Sequence, residues 1–235
     1  MKAGMLNKQS FIVLIALGIL IATGDHAYSG HGATNVMRQN LAQLTETADI
    51  ILVGKVVEMK DGLAENNLPY TEITFEVRRL IKSGRRDPGA RPQWERRMLE
   101  GRNGPRTFTY RQFGLLKPRD MGDGKALAVI LDGFPHYDVN EEVMVFLYKP
   151  AALSGFRTTV GLAQGKFSIR KGKMVNHINN HHLFANMEVK RERLSTEERH
   201  MLTQRSGPLD ANMVINLVSR AVKEGLFRRS NGPTP

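Results

Sequence analysis

Val143 to Tyr148 is an unbroken apolar run that the pattern predicts to be one strand of a central β-hairpin. The run ends before Pro150, and the turn residues Ser154-Gly155 follow. A second β-rich run extends from Thr158 to Ile169. Two such runs joined by a Pro/Gly/Ser connection are typical of a hairpin. Because the first run does not alternate, we expect a strand that is buried on both faces or that closes a small barrel.

Three further strands are predicted upstream of this hairpin. Asp49 to Met59 is strongly apolar, and Gly54 within it indicates a bulge or sharp bend. Tyr70 to Ile81 alternates apolar and polar residues, as expected of a strand with one buried face. Thr107 to Phe113 is the third strand. Shorter strands are predicted at Ala126–Leu131 and Met174–Val175.

Two helices have recognisable ends. Asn40 and Gln43 form a capping-box pattern ahead of a short helix. Asp210 is placed as the N-cap of a longer helix, and Gly225 ends it. The apolar stripe of this helix comprises Val214, Leu217, Val218, Ala221 and Val222. The sequence therefore predicts a mainly β fold with helices packed on its outside.

Residues 1–29 have the pattern of a secretory signal peptide. Lys2 and Lys8 precede the apolar run Phe11 to Ala22, and Ala27-Tyr28-Ser29 offers small residues for cleavage. The run is shorter than the roughly 20 residues of a spanning helix. We expect cleavage near Ser29 and no stable membrane span afterwards, with an uncleaved anchor as the alternative. The absence of cysteine excludes disulfides and thiol chemistry, and it suits a bacterial periplasmic or secreted protein.

Residues 83–106 interrupt the β pattern with a basic insertion rich in proline and glycine. The whole chain carries a formal net charge of +11, which favours anionic partners. Arginine and tryptophan together provide charge and a stacking surface for a polyanion. The candidate contacts are Arg85, Arg86, Arg91, Trp94, Arg96 and Arg97. The alternative is a solvated loop with one anchoring aromatic residue. For an exported protein, polysaccharide or envelope surface is a more suitable partner than nucleic acid.

Three histidines, His177, His181 and His182, are the weak candidates for a metal site. His177 and His181 have the i, i+4 spacing that places two imidazoles on one helical face. The segment between them is typical of a loop, however, and it contains no glutamate of the zinc-protease type. A structural or surface role is therefore favoured for all three.

No other pattern indicates catalysis. Glu141 and Glu142 are adjacent, so in a strand their side chains point to opposite faces, which favours a role at the hairpin entry over paired acid–base chemistry. The chain has no Gly-x-Ser-x-Gly elbow and no phosphate-binding glycine loop. The sequence predicts no catalytic residue and no cofactor.

A family resemblance rests on four groups of segments: Ala48 to Val56; Phe75-Glu76-Val77 with Leu80-Ile81-Lys82; Gly133-Phe134-Pro135 with Glu141-Glu142-Val143 and Phe146-Leu147; and Gly161 to Phe167. Together they resemble exported bacterial β-barrel domains of unknown function, similar to OB and netrin-like folds, some of which occur near matrixin-like metalloproteases. Gly161 to Phe167 is the most specific segment. Asn140 stands where glycine is more usual, and the Arg-rich insertion departs from the compact form. The resemblance implies a small OB-like antiparallel barrel and no known activity.

These observations predict a signal peptide at 1–29, a barrel domain at 30–184 with the insertion at 83–106, and a charged linker with a C-terminal helix at 185–235. The expected function is that of a non-catalytic exported binding or accessory module. Its ligand is an envelope or extracellular protein, such as a protease, or an anionic polysaccharide. The alternative is a metal-dependent hydrolase that uses His177, His181 and His182.

Overall fold

The computed structural model describes residues 20–22, 37–84, 106–122, 125–129, 131 and 133–227. The strands are β1 (Leu20–Ala22), β2 (Ile50–Leu63), β3 (Pro69–Ser83), β4 (Thr107–Phe113), β5 (Arg119–Gly122), β6 (Lys125–Ala128), β7 (Glu142–Leu147), β8 (Lys166–Arg170), β9 (Lys173–Asn176) and β10 (Leu209–Asp210). The α-helices are α1 (Leu41–Thr47), α2 (Thr196–Met201) and α3 (Ala211–Glu224), with 3₁₀ turns at Leu162–Gly165 and Arg191–Arg193.

Seven strands form one antiparallel sheet in the order β10-β9-β8-β7-β2-β3-β4, and β1, β6 and β5 form a second, smaller sheet. The predicted mainly β class is therefore confirmed. The long β2–β3 hairpin is the centre of the large sheet. Its register shifts between Val53 and Gly54, where the sequence predicts a bulge. A side chain at Gly54 would place its Cβ 2.6 Å from the carbonyl oxygen of Glu76, so only glycine permits this close approach.

The strand β7 is buried on both faces, as its unbroken apolar run predicts. Val143, Val145 and Leu147 pack into a cluster with residues of β2, β3 and β4 and with Tyr137; we call it the tyrosine core. Met144 and Phe146 pack into the opposite cluster, which contains residues of all three α-helices; we call it the helix-side core. Alternate residues of one strand therefore contribute to two separate cores.

The second half of the predicted hairpin differs from the expectation. β8 begins only at Lys166, although it does pair antiparallel with β7. The segment before it instead follows the end of β7 through backbone hydrogen bonds from Tyr148 N to Thr158 O and from Val160 N to Phe146 O. The ladder between β7 and β8 ends at the pair Val145–Lys166. Residues 158–160 therefore follow the last part of β7, and β8 pairs with its first part.

The predicted closed barrel is not formed by strand pairing among the described residues, because β4 and β10 end the sheet order without pairing to each other. One backbone hydrogen bond of 2.9 Å joins Arg157 N to Arg111 O in β4. The segment after β7 thus links β7 to β4 at a single point. Among the described residues, β4 and β10 have no further ladder partner that would close the sheet.

The two predicted helices, α1 and α3, begin at the predicted caps, and α3 ends at the predicted glycine. The capping box at Asn40 and Gln43 is present, Asp210 accepts a hydrogen bond from Met213 N, and Gly225 has the left-handed conformation that ends α3. Six residues of α3 are buried: Ala211, Val214, Ile215, Leu217, Val218 and Ala221. They belong to the same helix-side core as Phe146 and Phe167, so α3 covers one face of the sheet.

Candidate functional site

The six predicted polyanion contacts, Arg85, Arg86, Arg91, Trp94, Arg96 and Arg97, lie outside the described residues. Only the root of their insertion is described. β3 ends at Ser83 opposite Ile50 of β2, whereas β4 begins at Thr107 opposite Glu76. A backbone hydrogen bond of 2.6 Å from Val77 N to Arg106 O closes the root. The insertion therefore leaves β3 at Ser83, beside β2, and rejoins the sheet at Arg106, beside Val77.

The cations of β3 beside this root are engaged with the protein itself. Arg78 forms an ion pair with Glu142 of β7, and Arg79 donates to the side chain of Asn216 in α3 at 3.0 Å. Lys82 Nζ donates to two backbone carbonyl oxygens at the end of α1, those of Thr45 and Glu46, each at 3.0 Å. These side chains connect β3 to β7, α3 and α1. They already have partners within the protein and are therefore less suited to bind an external anion.

The three candidate histidines do not share a helical face. Residues 177–182 form consecutive turns, and positive φ angles at Asn179, Asn180 and His182 exclude a helix there. The histidine side chains are exposed, and the rings of His181 and His182 lie 6.4 Å apart, centroid to centroid. Within the described ranges, no group of three or more His, Asp or Glu residues is placed to hold a metal ion. The segment between His177 and His181 is therefore non-helical, as the sequence predicts, and the i, i+4 spacing does not bring the two imidazoles onto one face.

Asparagine side chains build the turn that carries these histidines. Asn176 and Asn180 exchange hydrogen bonds, since each backbone N–H donates to the other's side-chain oxygen at 2.9 and 2.8 Å. Asn180 Nδ2 donates further to the carbonyl oxygens of Met174 and Gly207. Both asparagines are buried. The turn is thus held from within, and its outward-facing imidazoles contribute nothing to that network.

The best-defined polar cluster in the described chain consists of Glu141, Lys166 and Ser168; we call it the polar triangle. Lys166 Nζ lies 2.6 Å from Glu141 Oε1 and 3.0 Å from Ser168 Oγ. Ser168 Oγ donates to the same carboxylate oxygen at 2.5 Å. The side chains of Lys166 and Glu141 are only 12% and 5% exposed. Lys166 also lies over the ring of Tyr137, 5.3 Å from its centroid.

A second polar chain begins at Tyr137 and runs into the tyrosine core. The hydroxyl groups of Tyr110 and Tyr137 are 3.0 Å apart, and Gln112 Nε2 donates to the carbonyl oxygen of Pro135. Burial raises the pKa of Tyr110 well above its ordinary value of 10.0, because the phenolate would lose its hydration. Burial likewise raises the pKa of Tyr137, and the neighbouring Tyr110 and Glu141 add to the increase. Both phenols are neutral at physiological pH.

The interactions within the polar triangle are those of a structural contact between a turn and a strand. A catalytic serine needs a neighbour that can take its proton and donors for the developing oxyanion. Here Lys166 and Ser168 both donate to one carboxylate, so the three groups satisfy one another. The turn before Glu141 is clamped to β2 by hydrogen bonds between the backbones of Asn140 and Val56 and of Val56 and Glu141. The triangle therefore fixes this turn to β8.

Sequence reasoning missed the triangle. It treated Glu141 as a hairpin-entry residue and Lys166 as part of a glycine-flanked motif. The β7–β8 register, with Val143 opposite Ser168, brings these distant residues together. The alternation of Lys166 and Ser168 on one face of β8 was the available signal. Glu142 points to a different partner, Arg78, in agreement with the expected opposite orientations of the two glutamates.

A groove of about 470 Å³ lies between α2, α3 and the β9–β10 pair. Met201 and Met213 contribute apolar surface, and Lys173, Glu197, His200 and Asp210 contribute charged or polar groups. Asp210 is already the N-cap of α3. The groove contains none of the residues that the sequence proposes for binding.

Comparison with known proteins returns no match to a protein-family model, to a curated protein or to a solved structure. The resemblance to exported OB-like domains therefore stays a prediction. Among the described residues, none of the helices combines the length and the apolar character needed to cross a bilayer.

Proposed function

We propose that this chain is a non-catalytic binding or accessory module of the bacterial envelope or exterior, and that the insertion at 83–106 is its contact surface. The supporting observation is the root of the insertion. The sequence between the paired strands β3 and β4 contains seven arginines and three acidic residues, Asp87, Glu95 and Glu100. The described cations beside the root, in contrast, already contact Glu142, Asn216 and the end of α1.

The ligand class is an anionic polysaccharide or an acidic surface on an exported protein, such as a protease. Guanidinium groups bind carboxylate and sulfate through paired hydrogen bonds, and tryptophan adds a stacking surface. Because both ends of the insertion are joined to paired strands, its arginines should lose less entropy when they bind a ligand. The predicted signal peptide and the lack of cysteine support the periplasmic or secreted location.

Affinity capture with the chain from Gly30 onward tests this proposal. The immobilised protein is exposed to envelope and culture-fluid extracts and eluted with salt, with heparin as a defined polyanion in parallel. Elution of a glycan at moderate salt is the expected result, because exposed charge contacts are screened. A single protein retained through high salt identifies the partner as a protein.

A charge-matched pair of variants localises the contact. Replacing Arg85, Arg86, Arg96 and Arg97 by Ser is expected to lower heparin affinity at least about tenfold, since four phosphate- or sulfate-type contacts are lost. The control replaces four exposed cations elsewhere, Lys171, Lys173, Arg191 and Arg205, by Ser. Equal loss in both variants would show that net charge alone binds the polyanion, and unchanged binding in the first would remove the insertion from the proposal.

A further inference from the structure

A short segment ahead of α1, Met37–Asn40, lies against the fold without forming helix or strand. We call it the strap. The side chain of Met37 is 84% exposed, and Arg38 is exposed as well. Asn40, at the other end, is buried. The outer part of the strap is therefore held by its backbone and not by its side chains.

Gln164 supplies that backbone contact. Its Oε1 accepts a hydrogen bond from Gln39 N at 3.0 Å, and its Nε2 donates to Met37 O at 3.2 Å. A carboxamide carries the same donor and acceptor as a peptide group, so Gln164 offers the strap what a neighbouring strand would offer. Gln164 is only 6% exposed, so its carboxamide lies within the fold, and both hydrogen bonds are partly buried.

The turn at 161–165 holds Gln164 in place before the strap binds. The backbone of Gln164 donates to Gly161 O at 3.1 Å, and its carbonyl oxygen accepts from Asn176 Nδ2 at 3.1 Å. Gly161 has φ of 64°, and a Cβ there would lie 3.3 Å from both Cβ and Nε2 of Gln164. Glycine at this position thus permits the turn and leaves room for the carboxamide.

The strap and α1 form one docked unit with polar contacts at both ends. Asn40 Nδ2 donates to Ala185 O at 2.9 Å, and Leu41 N donates to Leu183 O at 2.7 Å. At the far end, Lys82 holds the last carbonyl groups of α1. Between these ends, Leu41 and Leu44 are fully buried in the helix-side core. An α-helix of seven residues has little stability of its own, so its state depends on these contacts.

We propose that Gln164 is a latch for the strap: its carboxamide keeps the backbone next to Arg38 inaccessible, and loss of the latch opens the strap locally while the sheet stays folded. Local opening of a small unit below the global unfolding free energy is common in folded proteins. This inference does not depend on the proposed function.

Limited trypsin digestion of the full chain tests the latch, because Arg38 is an exposed cleavage residue inside the strap. Cleavage in native conditions follows the population of the opened state. Gln164→Ala removes both hydrogen bonds and is expected to accelerate cleavage after Arg38 about tenfold. Gln164→Glu keeps the acceptor for Gln39 N but sets a buried carboxylate oxygen against Met37 O, so it should accelerate cleavage at least as much as Gln164→Ala. The control is Gln204→Ala at an exposed glutamine of the groove.

Two results would overturn the proposal. The first is unchanged cleavage after Arg38 in Gln164→Ala; the second is faster cleavage at every site in proportion to a loss of global stability. If the variants do not fold, amide hydrogen exchange of the unaltered chain decides. Gln39 and Leu41 should then exchange at least about tenfold faster than the buried amides of β2 and β7. Exchange of all four regions at one rate would show that no separate strap opening exists.

Discussion

Lys166 and Glu141 form an ion pair that solvent scarcely reaches, with side chains 12% and 5% exposed. A buried pair adds little net stability, but removal of one partner leaves the other charged, buried and unpaired. Ser168 then remains as the only described side-chain donor to Glu141 in the triangle. The turn at Asp138–Glu141 and β8 should therefore depend on both charges being present.

Lys166→Met is expected to lower the free energy of unfolding by about 3–5 kcal/mol, because Glu141 loses its counter-ion. The double variant Lys166→Met/Glu141→Gln should recover part of that loss. Urea denaturation of the two single variants and the double variant gives the coupling. Lys60→Met, at an exposed ion pair with Glu58, is the control and should change stability little. Simple additivity in the double variant would contradict the buried-pair explanation.

Asn140 shows how a residue other than glycine can occupy a turn that needs positive φ. Its φ is 74°. Asparagine tolerates the left-handed region better than most other side chains. Asn140 N also donates to Val56 O at 2.7 Å. Asparagine is therefore compatible with the turn before β7.

At the scale of elements, α3 packs against one face of the sheet and shares a hydrophobic core with it. Leu217 and Val218 are fully buried in the cluster that contains Phe146 of β7 and Phe167 of β8. α2 is attached to α3 by Arg220, whose guanidinium binds both carboxylate oxygens of Glu198 at 2.7 and 3.0 Å. The helices and strands around this core are expected to unfold together.

Leu217→Ala is expected to lower the unfolding free energy by about 2–5 kcal/mol, since a fully buried leucine is truncated. The neighbouring exposed Asn216 provides the matched control, Asn216→Ala, which removes only the hydrogen bond to Arg79. Hydrogen exchange is the second measurement. The opening free energies of amides in α3 and β8 should fall by the same amount. A decrease confined to α3 would show that the helix opens independently.

At the scale of the whole molecule, the buried tyrosines set an alkaline limit to stability. The pKa values of Tyr110 and Tyr137 are raised in the folded state, whereas an unfolded tyrosine ionises near pH 10. Above that pH the unfolded chain releases protons that the folded chain retains, so the unfolding free energy must fall. The tyrosine contribution is fully present below pH 10 and is lost progressively as the pH rises toward the folded values.

The expected slope reaches about 1.4 kcal/mol per pH unit for each buried tyrosine. Urea denaturation between pH 9 and pH 11.5 measures it. Tyr137→Phe should make the curve shallower, although it also removes the hydrogen bond to Tyr110. Tyr148→Phe, at a half-buried position outside the tyrosine core, is the control. A slope that is identical in all three proteins would contradict the assignment.

The amino-acid sequence by itself determined the local features of this protein. Gly54 predicted the bulge, Asn40 and Asp210 predicted the helix caps, and the unbroken run of β7 predicted burial on both faces. Such features depend on neighbours a few residues apart, where backbone sterics and side-chain periodicity act directly. The mainly β class follows from their sum.

Tertiary structure alone decided the rest. The polar triangle joins Glu141 to β8 through strand register, and the latch joins Gln164 to a segment 125 residues away from it at Gln39. The composition of Thr158–Gly165 is typical of a strand, yet the segment forms an irregular edge and a 3₁₀ turn. Its backbone hydrogen bonds go to the end of β7, to Gly133 and to other residues of the same turn. His177 and His181 do not share a helical face, because the buried Asn176 and Asn180 hold that segment in turns. Contacts between residues far apart in the sequence produce no local sequence pattern, so only the folded structure reveals them.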